Sequence, residues 1–258
     1  MIPAIIVHDE SKSQIALLML VEAIVCFVVM VLCIVWFQER PSIPPSISAS
    51  EVREPLCKSL ALCFKNSNFL LVFLGFSLIQ GTFGTLVTLL EAITSPYGFS
   101  SFDNSILGII FIVVGVAGSL IIGCEVTATN KYKLTCFIAC LLTLLTLLIF
   151  TFTLELESLL ITSIAVGLVG LASTPSISIS YEYVIELTYP VEEAVCVALL
   201  NTGAMLFGVI QIGVGYLFGN SSLAICLICA IGLAIASISI LLSKEELIRA
   251  KVDTKKSG

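Results

Sequence analysis

Residues 134–153 read LTCFIACLLTLLTLLIFTFT, a run of apolar and hydroxyl side chains without a charged residue. A helix needs about 20 such residues to cross the roughly 30 Å hydrocarbon core of a bilayer, so this run predicts a transmembrane helix. Outward from it in both directions, the same pattern predicts further spans at 15–37, 67–93, 105–125, 158–183, 194–218 and 221–243. The predicted fold class is all-α, a polytopic transmembrane helix bundle of about seven spans.

The composition agrees with a chain whose solvent is the bilayer. Hydrophobic residues make up 58% of the 258 residues and charged residues 12%, whereas about a quarter of the residues in a soluble globular protein are charged. The formal net charge is −6, and no cluster of Lys and Arg resembles a nucleic-acid-binding face. We therefore expect an integral, multi-pass membrane protein whose partners include the lipid bilayer and exclude nucleic acid.

The distribution of basic residues predicts the orientation. Of the twelve Lys and Arg residues, only Lys12 precedes the first span. All the others fall on one side of the predicted membrane; they are Arg40, Arg53, Lys58, Lys65, Lys131, Lys133, Lys244, Arg249, Lys251, Lys255 and Lys256. Because Lys and Arg are enriched in cytoplasmic loops, the N-terminus is predicted outside and the C-terminus in the cytoplasm. No targeting motif is evident, and we favour the plasma membrane over an internal organelle.

The ten cysteines and the single histidine do not form a pattern typical of a metal or cofactor site. Cys226 and Cys229 form a CxxC pair, but it lies within an apolar span and has neither a second pair nor a His-rich partner. His8 precedes the first span. Since free cysteine packs as a small hydrophobe, we predict no metal site and no cofactor.

One segment interrupts the apolar pattern. It contains four prolines among serines and charged residues, a composition that disfavours regular helix and favours an extended, solvated linker. The prolines are Pro41, Pro44, Pro45 and Pro55. The short apolar run before the first span resembles the end of an earlier helix and suggests a truncated chain. The predicted units are the first span with its flanks at 1–37, the cytoplasmic linker at 38–66, a six-helix bundle at 67–243 and a basic tail at 244–258.

The span at 67–93 carries a polar stripe. Its members follow one another at steps of three or four residues and so share one side of a helix. They are Ser77, Gln80, Gly84, Thr88 and Glu91. Polar side chains in a membrane helix normally face a bundle interior or an aqueous cavity. Helix packing is the alternative, because Gly and Ser let backbones approach closely; with Gln and Glu present, we favour the lining of a substrate cavity.

The span at 194–218 carries a second stripe, in which small residues dominate. Its members are Asn201, Ala204, Gly208, Gln211 and Gly215. Close packing against another helix explains the glycines, but Asn201 and Gln211 need hydrogen-bond partners wherever they are buried. We assign both amides to the substrate cavity, with Asn201 as the stronger candidate.

The span at 158–183 and its extension combine a proline with two carboxylates. Pro175 removes a backbone hydrogen bond and predicts a kink. Glu182 and Glu186 follow one turn apart toward the cytoplasmic end, so they share a face. They suit either a proton or cation relay or a cytoplasmic gate that pairs with Arg or Lys from elsewhere; we favour the gate, because both lie near the membrane surface.

Two stretches resemble a known transporter family. Residues 181–190 read YEYVIELTYP and residues 199–208 read LLNTGAMLFG. They are similar to the tenth and eleventh helices of the feline-leukaemia-virus-subgroup-C-receptor-related family within the major facilitator superfamily. The resemblance extends to PSIPPS at 41–46, to the helix at 68–90 and to FTFTLEL at 150–156. It implies the C-terminal half of a twelve-span carrier, with the sixth helix still attached.

For function, the resemblance implies a secondary carrier of a small organic solute, in a family associated with choline, ethanolamine and haem transport. Such carriers bind substrate between two six-helix halves and work by alternating access. An N-terminal half, missing here or supplied by another chain, is therefore an implied partner. Quaternary ammonium groups are bound by aromatic cages; the helix-seven tyrosine of the family corresponds to Gly84, and the helix-eleven glutamine corresponds to Met205.

Two other functional classes compete with the carrier. An enzyme would need a nucleophile with a base, a carboxylate pair or metal ligands at matching depth, and Glu182 and Glu186 lie on one helix near the surface. We therefore predict no enzyme activity. The alternative to transport is a non-transporting membrane partner or regulatory half-protein, because one half cannot alternate access by itself.

Overall fold

The computed structural model describes residues 12–37, 55–129, 131–219 and 221–245. Within these ranges the regular structure is helical, as the sequence predicts. The α-helices are α1 Lys12–Trp36, α2 Leu56–Lys65, α3 Ser67–Thr94, α4 Ser101–Thr129, α5 Tyr132–Thr153, α6 Leu159–Ser173, α7 Pro175–Thr188, α8 Glu193–Leu217 and α9 Ser222–Leu242. Short 3-10 turns at Ser95–Tyr97 and Leu154–Leu156 follow α3 and α5.

The prediction of about seven membrane spans is confirmed within the described residues. Seven segments are long and apolar enough to cross a bilayer, with α6 and α7 joined in a single span. They are Ala16–Trp36, Ser67–Tyr97, Ser101–Cys124, Tyr132–Leu156, Leu159–Thr188, Glu193–Leu217 and Ser222–Leu242. The chain is a multi-pass integral membrane protein.

The chain divides into two compact units, residues 1–51 and 52–258. In the first unit, α1 exposes apolar side chains around its whole circumference between Ala16 and Trp36. A helix that is apolar on every side is typical of a membrane span. Glu22 is an exposed charged position on this helix.

The linker differs from its prediction in its second part. An extended connection is expected throughout 38–66, but Leu56–Lys65 form the helix α2. The physical reason is that the last proline, Pro55, stands at the N-cap position, so no proline interrupts the ten residues that follow. Residues 38–54 and 246–258, and residues 1–11 with His8, lie outside the described residues.

Helix α2 is attached to the bundle through its buried side chains Ser59 and Cys63. The thiol of Cys63 hydrogen-bonds with Cys196 of α8, and this contact together with burial raises the pKa of Cys63. At neutral pH Cys63 is therefore a neutral thiol that packs as a small apolar group. Asn66 is the N-cap residue of α3: its side chain accepts hydrogen bonds from the backbone N–H groups of Asn68 and Phe69.

In the second unit, α3 packs between α8 and α9, and α6 packs against both α4 and α5. Glycines allow these close approaches. Gly81 of α3 faces α8 so closely that a Cβ atom would lie 2.9 Å from the backbone nitrogen of Gly208. On the other side of the bundle, a Cβ atom on Gly170 of α6 would overlap the carbonyl oxygen of Phe111 on α4. Small residues of this kind let membrane helices gain van der Waals contact without a hydrophobic driving force.

Candidate functional site: a polar junction of three helices

The span that contains Pro175 is divided into two helices. α6 ends at Ser173 and α7 begins at Pro175, with Thr174 between them. The backbone N–H of Thr174 still donates to Gly170 at 3.1 Å, and the next bond runs from Ile177 to Thr174 at 3.2 Å. Proline has no N–H to continue the ladder, so the break occurs at the position that the sequence indicates.

Beyond this break, Tyr181 of α7 and Asn201 of α8 are joined by a hydrogen bond. The Tyr181 hydroxyl donates to Asn201 Oδ1 at 2.8 Å, and Asn201 Nδ2 donates to the backbone carbonyl of Val197 at 3.0 Å. The Tyr181 ring lies 5.3 Å, between centroids, from the ring of Phe76 on α3. Three helices therefore meet at one amide and one phenol, which we call the polar junction (Phe76, Tyr181 and Asn201).

The polar junction keeps hydrogen-bonding capacity for a further ligand. An amide side chain carries two N–H donors and two acceptor lone pairs, and the two observed bonds use one of each on Asn201. Tyr181 and Asn201 are both half-buried, whereas Phe76 is fully buried. Tyr181 is not among the site residues predicted from the sequence. The signal was available, because a tyrosine within a membrane span needs a partner for its hydroxyl.

The predicted stripe on α3 changes its surroundings along the helix. Ser77 is buried against Gly203 of α8, whose Cβ atom would overlap the serine hydroxyl. Gln80 is half-buried, and its Oε1 has no hydrogen-bond partner among the described residues. Gly84 is half-buried, and a Cβ atom built on it would meet open space. The stripe thus packs against α8 at Ser77, nearer the start of α3, and borders unfilled space at Gly84.

The members of this stripe that lie toward the end of α3 are exposed. Thr88 and Glu91 lie on the surface of α3, one turn and two turns beyond Gly84. Glu91 Oε1 accepts a hydrogen bond of 2.7 Å from Ser101 at the start of α4. This contact holds the carboxylate beside the loop that joins α3 to α4, so Gln80 and Glu91 are not parts of one local cluster.

Gln211 lies elsewhere, inside the contact between α3 and α8. Its exposed fraction is 6%, and its Nε2 donates to Thr82 at 3.1 Å while its Oε1 accepts from Thr85 at 3.2 Å. A Cβ atom on Gly232 of α9 would lie 2.7 Å from the same Nε2. The amide is therefore enclosed by three helices. Met205, in contrast, is 68% exposed and lies one turn beyond Asn201.

We expect Gln211→Leu to act on stability more than on ligand recognition. The substitution removes the N–H group that donates to the Thr82 hydroxyl and the oxygen that accepts from the Thr85 hydroxyl. Interhelical hydrogen bonds in membrane bundles contribute about 1 kcal/mol each. The measurement is thermal unfolding of the purified chain in detergent micelles, with Val209→Leu, at a position that is 69% exposed on the same helix, as control. A Gln211→Leu chain as stable as the control would contradict the packing role.

The two carboxylates of α7 lie beside a network that anchors the end of this helix. Glu182 is exposed and Glu186 is half-buried. Between them, Tyr183 is fully buried, and its hydroxyl lies 3.1 Å from the hydroxyl of Ser243 after α9. Asn66 donates to the carbonyl of Leu187 at 3.2 Å. These contacts hold the end of α7 against the bundle, and they thereby fix the position of the exposed face that carries Glu182.

The structure brings together only some of the predicted site residues. Asn201 lies at the polar junction, Met205 and Glu182 are exposed near it along their own helices, and Gln211 belongs to a separate interface. Glu91 and Thr88 lie at the opposite end of α3 from the end of α7 that carries Glu186. Within the described residues, no cluster of His, Cys, Asp or Glu has the composition of a metal site.

A membrane bundle with an interrupted span beside a polar junction belongs to the class of multi-pass α-helical membrane proteins and has features typical of secondary transporters. Known proteins of this class are similar to the chain in sequence. The chain is 29% identical over 250 residues to the choline/ethanolamine transporter FLVCR2 of Homo sapiens, covering 92% of this chain and 48% of that protein. It is 32% identical over 209 residues to the choline/ethanolamine transporter flvcr2b of Danio rerio, covering 78% of this chain and 43% of that protein.

A third relative is an uncharacterised transporter of the major facilitator type from Caenorhabditis elegans, 27% identical over 246 residues, covering 88% of this chain and 42% of that protein. No protein-family model matches the chain. The resemblance inferred from residues 181–190 and 199–208 is confirmed: the chain is a homologue of the choline/ethanolamine transporters of the major facilitator type. It spans about half the length of the curated relatives that it matches.

Proposed function

We propose that this chain forms one half of a secondary carrier of a small organic solute, with the polar junction as part of the substrate site. The observation that carries the proposal is the half-buried pair Tyr181 and Asn201, which joins two helices and keeps free donor and acceptor capacity. The relatives of the chain are choline/ethanolamine transporters. Solutes of that type, small and cationic with polar groups, are the substrate class we propose.

The chemistry of Tyr181 and of further residues on α3 and α8, the helices that meet α7 at the junction, supports this substrate class. The face of an aromatic ring attracts an ammonium group, and Tyr181 presents a half-buried ring. Gln80 contributes an unpartnered carbonyl oxygen from α3, which can accept a hydrogen bond from a hydroxyl or primary ammonium group. Gly84 leaves space where a larger side chain would stand. Met205 supplies a flexible apolar contact from α8.

We assign Pro175, Glu182 and Glu186 to gating. The helix break at Pro175 lets α7 move relative to α6 without breaking a continuous hydrogen-bond ladder. The carboxylates of this segment, exposed at Glu182 and half-buried at Glu186, can exchange ion-pair partners when the other half of a carrier approaches. Thr88 and Glu91, at the other end of α3, are assigned to the entrance, where a carboxylate attracts a cation. Gln211 is assigned to helix packing.

The proposal includes an arrangement in the membrane. The N-terminus lies outside and the C-terminus lies in the cytoplasm, because the basic residues gather on one side of the spans. The plasma membrane is the proposed location. Residues 38–66 are the cytoplasmic connection, and residues 67–243 are the six-helix half that carries the site. The complementary partner is an N-terminal six-helix half, either in the same polypeptide or in another, and the role is transport rather than catalysis.

An uptake assay tests the proposal. Cells express this chain with the amino-terminal six-helix half of the human relative FLVCR2, and uptake of radiolabelled choline and ethanolamine is measured. The controls are each half alone. We expect uptake only from the pair, because a carrier binds its substrate between two halves. Uptake equal to that of the amino-terminal half alone would contradict transport by this pairing. If the chain instead lowers uptake by a complete relative, the regulatory alternative is favoured.

A further inference from the structure

A long groove runs along the bundle between α4 and α5. Both helices pack on α6, and they pack far less on each other, so α6 forms the floor. The groove has a volume of about 1190 Å³, counting the space open to the surroundings. Its walls include Ile122 of α4, Ile138 and Leu142 of α5, and Leu168 and Leu171 of α6. It is separate from the polar junction.

The groove matches the depth of one leaflet. Its α5 wall runs from Leu134 to Thr146, and twelve residues of helix rise by about 18 Å. The hydrocarbon of one leaflet is roughly 15 Å thick, half of the bilayer core. Leu134, Ile138 and Leu142 are all close to half exposed along this wall. The groove is therefore long enough for an acyl chain laid parallel to the helices.

The hydroxyl groups of the groove do not make it polar. Thr135 donates its hydroxyl to the carbonyl of Lys131 at 2.9 Å, and Thr146 donates to the carbonyl of Leu142 at 2.8 Å. Because both protons are used within α5, the walls offer a ligand methyl and methylene groups. A soluble polar ligand would lose its hydration there without replacement.

One end of the groove is cationic. Lys131, immediately before α5, lines the groove and is exposed. The nearby Lys133 is directed elsewhere, because its Nζ donates to the carbonyl of Ser243 at 2.6 Å and its backbone N–H donates to Glu245 at 3.2 Å. Lys131 is thus the ammonium group that a ligand in the groove would meet at the membrane surface.

From the apolar walls, the leaflet-deep length and the terminal lysine, we propose that this groove binds an anionic phospholipid. The phosphate lies at Lys131, and one acyl chain fills the space between α4 and α5, which make few contacts with each other. Basic sites at the cytoplasmic ends of membrane helices bind anionic head groups. In the orientation proposed above, Lys131 borders the cytoplasmic leaflet, in which anionic lipids are concentrated.

Lipid binding to the purified full chain tests this site. The delipidated chain in detergent is titrated with phosphatidylserine or phosphatidylcholine, and bound lipid is counted by native mass spectrometry. We expect phosphatidylserine to bind more tightly. Lys131→Gln should weaken phosphatidylserine binding about fivefold, the effect of one lysine at a lipid surface, and Lys131→Arg should retain it. The matched control is Lys65→Gln, an exposed lysine outside the groove.

A second pair of variants tests the acyl-chain position. Leu142→Trp places a large side chain in the groove and should reduce the number of lipids retained, whereas Leu145→Trp, at an exposed position of α5 outside the groove lining, should not. Equal binding of the two lipids, equal losses from Lys131→Gln and Lys65→Gln, or displacement of lipid by inorganic phosphate would overturn the proposal. The readout is lipid retention, so its outcome is independent of transport.

Discussion

Gly170→Ala is expected to melt at a lower temperature than the parent chain, although alanine is the better helix former. The added Cβ atom would overlap the Phe111 carbonyl oxygen and lie 3.0 Å from its carbonyl carbon and 3.2 Å from its Cα atom. All three atoms are backbone, so no side chain can rotate away. Replacing glycine by alanine within a helix gains about 1 kcal/mol of propensity, whereas overpacking a close contact costs about 1–3 kcal/mol. Because the overlap is with backbone atoms, the cost of overpacking falls at the upper end of that range. It therefore exceeds the gain in helix propensity, and the free energy of unfolding decreases.

Thermal unfolding of purified chains in detergent, followed by circular dichroism, measures this effect. Gly108→Ala is the matched control, because it lies on α4, the partner helix, and a Cβ atom there meets nothing within 4 Å. We expect Gly108→Ala to leave the melting temperature unchanged or to raise it slightly. A Gly170→Ala chain that melts with the control would show that α4 and α6 are not packed as closely as the structure describes.

Asn201→Ala is expected to produce the largest loss of uptake in an assembled transporter. The substitution removes the acceptor of the Tyr181 hydroxyl and the free amide capacity of the polar junction. Loss of a hydrogen-bonding partner at a partly enclosed site costs about 1–3 kcal/mol, which corresponds to a fall of roughly fivefold to more than one hundredfold. The amount of protein in the membrane should not change, because the packing of α3 against α8 rests on Gly81, Gly208 and Gln211.

Uptake by the co-expressed halves, normalised to surface protein by biotinylation, measures this result. Thr202→Ala is the control. Thr202 follows Asn201 on α8, and its exposed hydroxyl donates only within its own helix, to the carbonyl of Ala198. Tyr181→Phe keeps the ring and removes the link to Asn201, so an intermediate loss is expected. Glu182→Gln should also impair uptake, by weakening the gate. Unchanged uptake in both Asn201→Ala and Glu182→Gln would refute the site assignment.

The helices were accessible from the sequence because their cause is local. In hydrocarbon every backbone polar group must be satisfied within the segment, so a run such as 134–153 has to be helical whatever surrounds it. The break at Pro175 follows from the missing N–H of one residue. The helix Leu56–Lys65 was missed because the prolines that precede it dominated the composition of the whole linker, although none lies within those ten residues.

Partners were harder to predict, because periodicity assigns a residue to a face and does not identify the neighbour of that face. Asn201 and Gln211 are both amides in a small-residue stripe, yet one lies at the half-buried polar junction and the other between Thr82 and Thr85. Ten residues of α8 separate the two side chains by about 15 Å along the helix axis, so they meet different neighbours. Which face meets α7 and which meets α3 depends on how the helices cross.

The sequence by itself therefore determined that the chain lies in a bilayer and that it folds as a multi-pass helix bundle. It also determined that the chain is a homologue of choline/ethanolamine transporters. Those properties follow from hydrophobic length and from residue identity along one chain. Only the tertiary structure decided that Tyr181 bonds to Asn201, that Gln211 is enclosed, and that α4 and α5 leave a groove ending at Lys131. These depend on contacts between helices distant in sequence, where close packing at glycines and directional hydrogen bonds select one arrangement among many with the same hydropathy.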